Sequence, residues 1–236
     1  MSSLESVNKA PDNAVKVLDG QGWISMIRHS GEEIDIVNAA RVSFGKMRTE
    51  MNDKDEHLLQ FLIREKHFAP LEHITFSFLV HCPLFVRGQW HRHRTQSFNE
   101  ISRRYTEVDL EIYQPRKLRK QSESNKQASK DNDLVEGKDY AEAIDTIFYA
   151  ANNAMTAYEK LLKLGVCREQ ARGVLPQNMM TTFYATMNLR NLLHFLSLRM
   201  AEHAQWEIRQ YANAIHDMLV PLYPNVMKAF DEGLIS

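Results

Sequence analysis

Apolar residues fall at helical spacing in some stretches of this chain and at strand spacing in others, and that contrast predicts most of its elements. Val15–Leu18 and Trp23–Ile27 read as short strands on either side of an Asp-Gly-Gln-Gly turn. Glu32–Val42 has helical spacing with acids in its first turn, where they suit the helix dipole. A second helix starts at Asp53, capped by an acid three residues on, with Leu58, Leu59, Leu62 and Ile63 as its buried stripe. Ile74–Cys82 alternates large apolar residues with small or polar ones, as a half-buried strand does. Pro83 then opens a helix that runs through Arg94. Next come a Ser/Asn-containing loop and a returning strand at Val108–Tyr113. Farther on, Asp139–Leu164 reads as a long amphipathic helix ended by Gly165, and Arg168–Val174 as a short one stopped before Pro176. Met179–Met187 fits strand or helix equally. Asn188–Arg199 and Ala204–Leu222 are helical, the latter ending near Pro221 and Pro224.

Two stretches lack periodicity. Met1–Asn13 is a loose polar tail, and Gln114–Lys138 is a polar surface excursion open to disorder. The 236 residues suit a single domain, 1–236, with a full core. Hydrophobic residues make up 44% and charged residues 25%, as in soluble globular proteins. No apolar run reaches the ~18–20 residues of a membrane span, and the N-terminus has no signal-peptide pattern. Two distant cysteines, Cys82 and Cys167, speak against a disulfide framework and for a reducing cytoplasm.

Charge changes the picture. The net charge is only −1, yet Arg87–Arg104 holds five arginines, two histidines, one acid (Glu100) and no lysine. Arginine offers a planar fork that grips phosphate or carboxylate at two points, whereas lysine is a point charge. Lysine is absent between Lys66 and Lys117 and again between Lys163 and Lys228, where Arg168, Arg172, Arg190, Arg199 and Arg209 sit. The expectation is that both arginine regions converge on one anionic ligand set, with the lysine-rich excursion in solvent.

In RNLLHFLSLR, at about 100° per residue, Arg190, His194 and Ser197 share one face and Arg199 lies opposite. Such a helix either breaks or is wedged between two ligand sites or subunits. It also reads as an ordinary buried helix whose arginines reach solvent at its edges. The histidines (His67, His73, His81, His91, His93, His194, His203) show no metal-ligand spacing, and the flanking arginines repel a cation, so no metal is expected. Neither cysteine has an evident partner base. Neither GxGxxG nor GxxxxGK[ST] is present. The rival class is a single-stranded nucleic-acid-binding protein without catalysis, with Trp90, His91, His93, Phe98 and Tyr105 stacking bases between arginines. The neutral total charge, the short basic segment and Glu100 weigh against it.

Arg92-His93-Arg94, seven residues and then Ser102 form the pattern RHRx7S. The wider RHRxxSxNExSxRY runs through Ser97, Asn99, Glu100, Arg104 and Tyr105. This resembles the signature of the flavin-dependent thymidylate synthases. HFAPLEHITFSF, CREQARGVLP and NLRNLLHFLSLRMAEHAQWEIRQYA also look like blocks of that family in its order, so the resemblance covers about Val37 to Tyr223 and leaves the tail and Gln114–Lys138 unmatched. It implies an α+β fold, a mostly antiparallel central sheet with helices packed around it. It further implies reductive methylation of dUMP to dTMP, with methylenetetrahydrofolate as one-carbon donor and FAD reduced by NADPH as hydride source. Carried over by position, Ala69, Arg92, His93, Arg94, Glu100, Asn188, Arg190 and His194 would hold FAD. Gln89, Arg92, Glu100, Ile101, Ser102, Arg103, Arg104, Arg172 and Arg199 would hold dUMP, with Ser102 a binding residue near the uracil ring. Arg199 would favour ionisation of the ring N–H, and His67 would lie near flavin and folate. The resemblance also implies a homotetramer with shared active sites, and neither nucleic acid nor membrane as partner.

Overall fold

The first strands follow the predicted turn. A computed structural model describes residues 6–106, 110–123 and 129–235. In it β1 (Val15–Val17) and β2 (Gly22–Ser30) pair antiparallel around a 3-10 turn in which Asp19 takes a left-handed φ of 56°. The tail read as loose is tied down at Asn8, whose carbonyl accepts from Trp23 Nε1 and whose Oδ1 accepts from Thr182 Oγ1. Met1–Glu5 of that tail lie outside the described residues.

Helix α1 (Glu33–Arg41) is followed by α2 (Asp53–Arg64), whose cap is Asn52 rather than Asp53. The Asn52 side chain accepts from the Lys54 and Asp55 amides, and Asp55, not Glu56, returns the bond to the Asn52 amide. The one-residue shift follows from Asp55 being buried against Arg41 and Arg48. Leu59, Leu62 and Ile63 are buried as read, and Leu58 is partly covered.

After a 3-10 turn at Ala69–His73 comes β3 (Thr75–Pro83), buried throughout except Thr75, so it is a central strand rather than a half-buried one. Its polar positions misled the pattern because their partners lie on the neighbouring strand. Ser77 Oγ sits 2.9 Å from Thr186 Oγ1, and His81 Nδ1 sits 2.8 Å from Thr182 Oγ1.

Pro83 is the cap, and not the first turn, of α3 (Leu84–Trp90), and α3 ends before the RHR triplet instead of running through it. Trp90 is fully buried, with Phe195, Phe183 and Tyr211 at ring-centroid distances of 4.6, 5.5 and 6.1 Å, and its indole donates to Gln96 Oε1 at 3.1 Å. Those contacts turn the chain over Trp90. The segment read as a loop then forms β4 (Ser97–Glu100), too short for its alternation to be recognised.

Of the strand expected at Val108–Tyr113, Val108 and Asp109 lie outside the described residues, and Ile112 makes a single bridge to Met179. Residues 124–128 of the polar excursion lie outside the described residues; in its described part β5 (Arg119–Gln121) pairs with β6 (Ser129–Leu134). The long helix is α4 (Gly137–Lys163), and α5 (Arg168–Ala171) leads into a 3-10 turn at Arg172–Val174. The ambiguous segment is β7 (Met180–Asn188), gripped by β3 on one side and β4 on the other. It passes without a loop into α6 (Leu189–Arg199), followed by α7 (Trp206–Leu219).

A further helix, α8 (Pro224–Asp231), starts where the prolines suggested an end, because Pro224 sits in its first turn. The buried Glu33 carboxylate accepts from the backbone amides of Asn225 and Val226 at 2.8 and 2.9 Å, capping that helix from across the chain. The main sheet has the order β1-β2-β3-β7-β4 and is antiparallel throughout, giving an α+β fold. Among the described residues, no helix is long and apolar enough to cross a membrane.

Tyr211 on α7 donates to the His81 carbonyl at 2.7 Å, and its hydroxyl lies 2.1 Å from where a Cβ on Gly22 would stand. Gly22→Ala should therefore cost about 1–3 kcal/mol of stability by overpacking. The loss should be smaller in a Tyr211→Phe background, as a urea-denaturation double-mutant cycle will measure. Equal losses in both backgrounds would show that the hydroxyl is not what the added methyl meets.

Candidate active site

Two cavities open on either side of α6. The first, about 810 Å³, is lined by Gln89 at the end of α3, by Arg92 beyond it and by Arg199 at the end of α6, with Arg119 of β5 facing them. The second, about 490 Å³, is lined by Phe68, Leu71, Asn188, Arg190, Leu193 and His194, among others. The two-sided pattern of the helix corresponds to two separate spaces, while Leu192, Leu193, Phe195 and Leu196 are buried and Arg190 also reaches solvent, as the edge-of-core reading has it.

Arg199 is fixed from three directions. Its Nε donates to His93 Nε2 at 2.9 Å, and its two terminal nitrogens donate to the Gln89 carbonyl at 3.2 Å and to Gln89 Oε1 at 3.5 Å. Burial, then the neighbouring Arg92 charge, lowers its pKa. His93 is 9% exposed and packs its ring 4.9 Å from Phe195 and 6.3 Å from His194. Burial first, then Arg199 and His194, push its pKa down to about 4. At neutral pH its ring is therefore uncharged, with Nε2 as the acceptor that Arg199 requires. His93 accepts from Arg199 of the first cavity and lies near His194 of the second.

In the second cavity Asn188 caps α6, accepting from the Asn191 amide at 2.9 Å. Arg190 pairs with Glu72 and lies 5.8 Å from the Phe68 ring. Ala69 begins the turn between Phe68 and Glu72. Asn191 Nδ2 donates to the Thr95 carbonyl at 3.3 Å, holding the segment after the RHR triplet against α6. Arg94 on that segment is exposed.

The remaining candidates sit elsewhere. Glu100 pairs with Arg87 at 3.2 Å and accepts from Thr181 Oγ1 at 2.8 Å. The Ile101 amide donates to the Thr182 carbonyl, and Ser102 Oγ accepts from the Arg104 amide at 3.3 Å. The Arg103 side chain points inward, 5% exposed, with Nη2 donating to the Met180 carbonyl at 3.4 Å. Arg104 pairs with Glu169 of α5 at 3.3 Å, and Arg172 follows three residues after Glu169 on the adjoining turn, also exposed. His67 lies in a third cavity, about 650 Å³, beside Phe44, Phe61, Arg41 and Lys46.

The expected convergence is therefore partial. One chain brings Arg92 and Arg199 together from the two lysine-free regions, while Arg190 faces the other cavity and Arg104 and Arg172 share a separate patch. The nucleic-acid reading loses its stacking platform: Trp90 is buried, Phe98 is stacked on His91 at 4.1 Å, and of the aromatics proposed for it only Tyr105 is broadly exposed, at 82%. Sequence reasoning missed Arg119, which lies in a stretch without periodicity. Its signal was an arginine among lysines.

The sequence matches the family described as "Thymidylate synthase complementing protein" over residues 25–225. It is 44% identical over 222 residues to a flavin-dependent thymidylate synthase of Thermus thermophilus, covering 94% of this chain and 80% of that protein. It is 42% identical over 215 residues to one of Thermosipho melanesiensis, covering 91% and 92%. A crystal structure of a UMP/dUMP methylase, PolB from Streptomyces cacaoi bound with 5-Br dUMP, superposes with a TM-score of 0.81 at 33% identity, covering 91% of this chain and 97% of that one. Sequence and fold agree: the chain belongs to the flavin-dependent thymidylate synthases, and is a methyltransferase.

Proposed function

We propose that this chain converts dUMP to dTMP, taking the one-carbon unit from methylenetetrahydrofolate and using FAD reduced by NADPH. The observation that carries this reading is the placement of Arg199 and Arg190 on opposite sides of α6, each in its own cavity, with Arg199 bonded to His93. The first cavity suits an anionic nucleotide. The second suits a flavin, since it combines the apolar Phe68, Leu71 and Leu193 with the polar Asn188, Arg190 and His194. Bound flavin would supply the hydride there, and His67 in its neighbouring cavity would serve the folate.

The work of the chain itself is positioning and charge. Arg199, already bonded to His93 and Gln89, would lie beside the uracil ring N–H and stabilise the anion formed as that proton leaves, without having to reorganise. Gln89 and Arg92 would orient the same nucleotide, and Arg92, His93, Arg94, Ala69 and Glu100 would complete the flavin set.

Glu100, Ile101, Ser102, Arg104 and Arg172 lie apart from the first cavity, with Arg103 left only its main chain to offer. Their role in dUMP binding requires a neighbouring copy, which supports sites shared between copies in the proposed homotetramer. The α4 face supports self-association, with Phe148 45% and Tyr149 64% exposed. Both cysteines are free, which suits a reducing cytoplasm.

Purified protein should be yellow and release FAD on denaturation; a colourless chain that cannot be reconstituted with FAD would overturn the reading. Arg199→Ala should retain flavin and lower dTMP formation about 10²–10³-fold, the usual effect of removing a preorganised charge donor. Turnover near that of the unaltered enzyme would exclude Arg199 from the mechanism.

His93 also predicts a pH dependence. Its pKa falls from 6.5 to about 4 on folding, so the unfolded chain binds more protons between those values. The stability contributed by the neutral ring is full above about pH 6.5 and is lost as pH falls toward 4. Melting midpoints should drop more steeply through that window in the unaltered protein than in His93→Gln. Parallel curves would refute the assignment.

A further inference from the structure

The two-stranded β5–β6 unit comes from the excursion that the family resemblance leaves unmatched, yet it walls the first cavity with Arg119, Gln121 and Ser129. Two ion pairs fasten it to α7: Arg119 to Glu207 at 2.6 Å, and Asp131 to Arg209. Glu207 is 5% exposed, and its second carboxylate oxygen is buried without a hydrogen-bond partner among the described residues. Arg119 is its ion-pair partner. Breaking that pair would strand a buried charge, so the guanidinium is held firmly.

The hold is also directional. Arg119 lies 4.9 Å from the Trp206 ring, its Nε donates to Ser129 Oγ at 3.0 Å, and its Nη2 donates to Glu207. Nη1 has no protein partner among the described residues, and the side chain, 14% exposed, borders the cavity that Arg92 and Arg199 also line. The charged groups around this space are three guanidiniums and one carboxylate, a surplus of 3 − 1 = 2 positive charges. That surplus matches a phosphate dianion, and a planar fork anchored at two nitrogens presents the third without loss of side-chain freedom.

We infer that Arg119 is a further nucleotide-binding residue, gripping the phosphate of the dUMP whose base lies at Arg199, and that Glu207 is the residue that positions it. This rests on the reading of the cavity as the dUMP site. It gives the β5–β6 unit a share in substrate recognition.

The test is calorimetric titration of dUMP and of deoxyuridine into the flavin-loaded protein and its variants, with flavin content and melting temperature as checks of folding. Arg119→Gln should weaken dUMP by about tenfold or more, the loss of one charge-assisted bond, and leave deoxyuridine unchanged because it has no phosphate. Glu207→Gln keeps an acceptor for Arg119 but removes the opposing charge, and should weaken dUMP less, again sparing deoxyuridine. Arg119→Lys should fail to restore full affinity, since it keeps the charge without the fork.

Unaltered dUMP affinity in a folded Arg119→Gln protein would overturn the inference, and so would equal weakening of dUMP and deoxyuridine. If Arg119→Gln does not fold, full dUMP affinity in a folded Arg119→Lys protein overturns it instead. Failure of the unaltered, flavin-loaded protein to bind dUMP at all overturns the underlying reading, and is told apart because it needs no variant.

Discussion

The bond from Arg199 to His93 is the constraint on which the site depends. It joins the last residue of α6 to the middle of the RHR triplet, 106 positions earlier, and it forms only if the imidazole is uncharged. Burial secures that condition. Trp90, Phe183, Phe195 and Tyr211 build an aromatic floor beneath the triplet, and that floor both ends α3 at Trp90 and holds His93 in surroundings that disfavour its cation. The apolar core thus sets the protonation state of the site above it.

The same helix divides the chemistry. A strand that enters a helix without a loop leaves little freedom at the junction, and β7 enters α6 at Asn188, whose side chain caps the helix it begins. Asn188 and Arg190 therefore emerge on one side at a fixed angle, and Arg199, about two and a half turns after Arg190, emerges on the other. Two cavities with different linings follow from one rigid element.

Much of this was legible in the sequence, and the failures share a physical cause. Helices α1, α2, α4, α6 and α7 appeared with errors of a few residues at their ends, because apolar residues recur in each at helical spacing. The two-sided character of α6 was visible from spacing alone. The end of α3, the strand β4 and the burial of β3 were not, since each depends on partners far along the chain: Trp90 on Phe195, Ser97–Glu100 on β7, His81 on Thr182. At the site, the arginine grammar picked out Arg92 and Arg199. Arg103, placed at dUMP by the resemblance, turns its side chain inward to Met180, and Arg119, whose neighbours in sequence look like solvent-facing linker, lines the first cavity.

Glu33 has a consequence for how the chain comes to be. Its carboxylate closes the start of α8 through bonds spanning 192 and 193 residues, so it waits for partners made that much later in synthesis. Contacts of such long range raise the cost of chain closure and slow folding. Until α8 arrives, the nascent protein carries an exposed acid where a helix end belongs. Truncation before Asn225 would leave that fastening unmade.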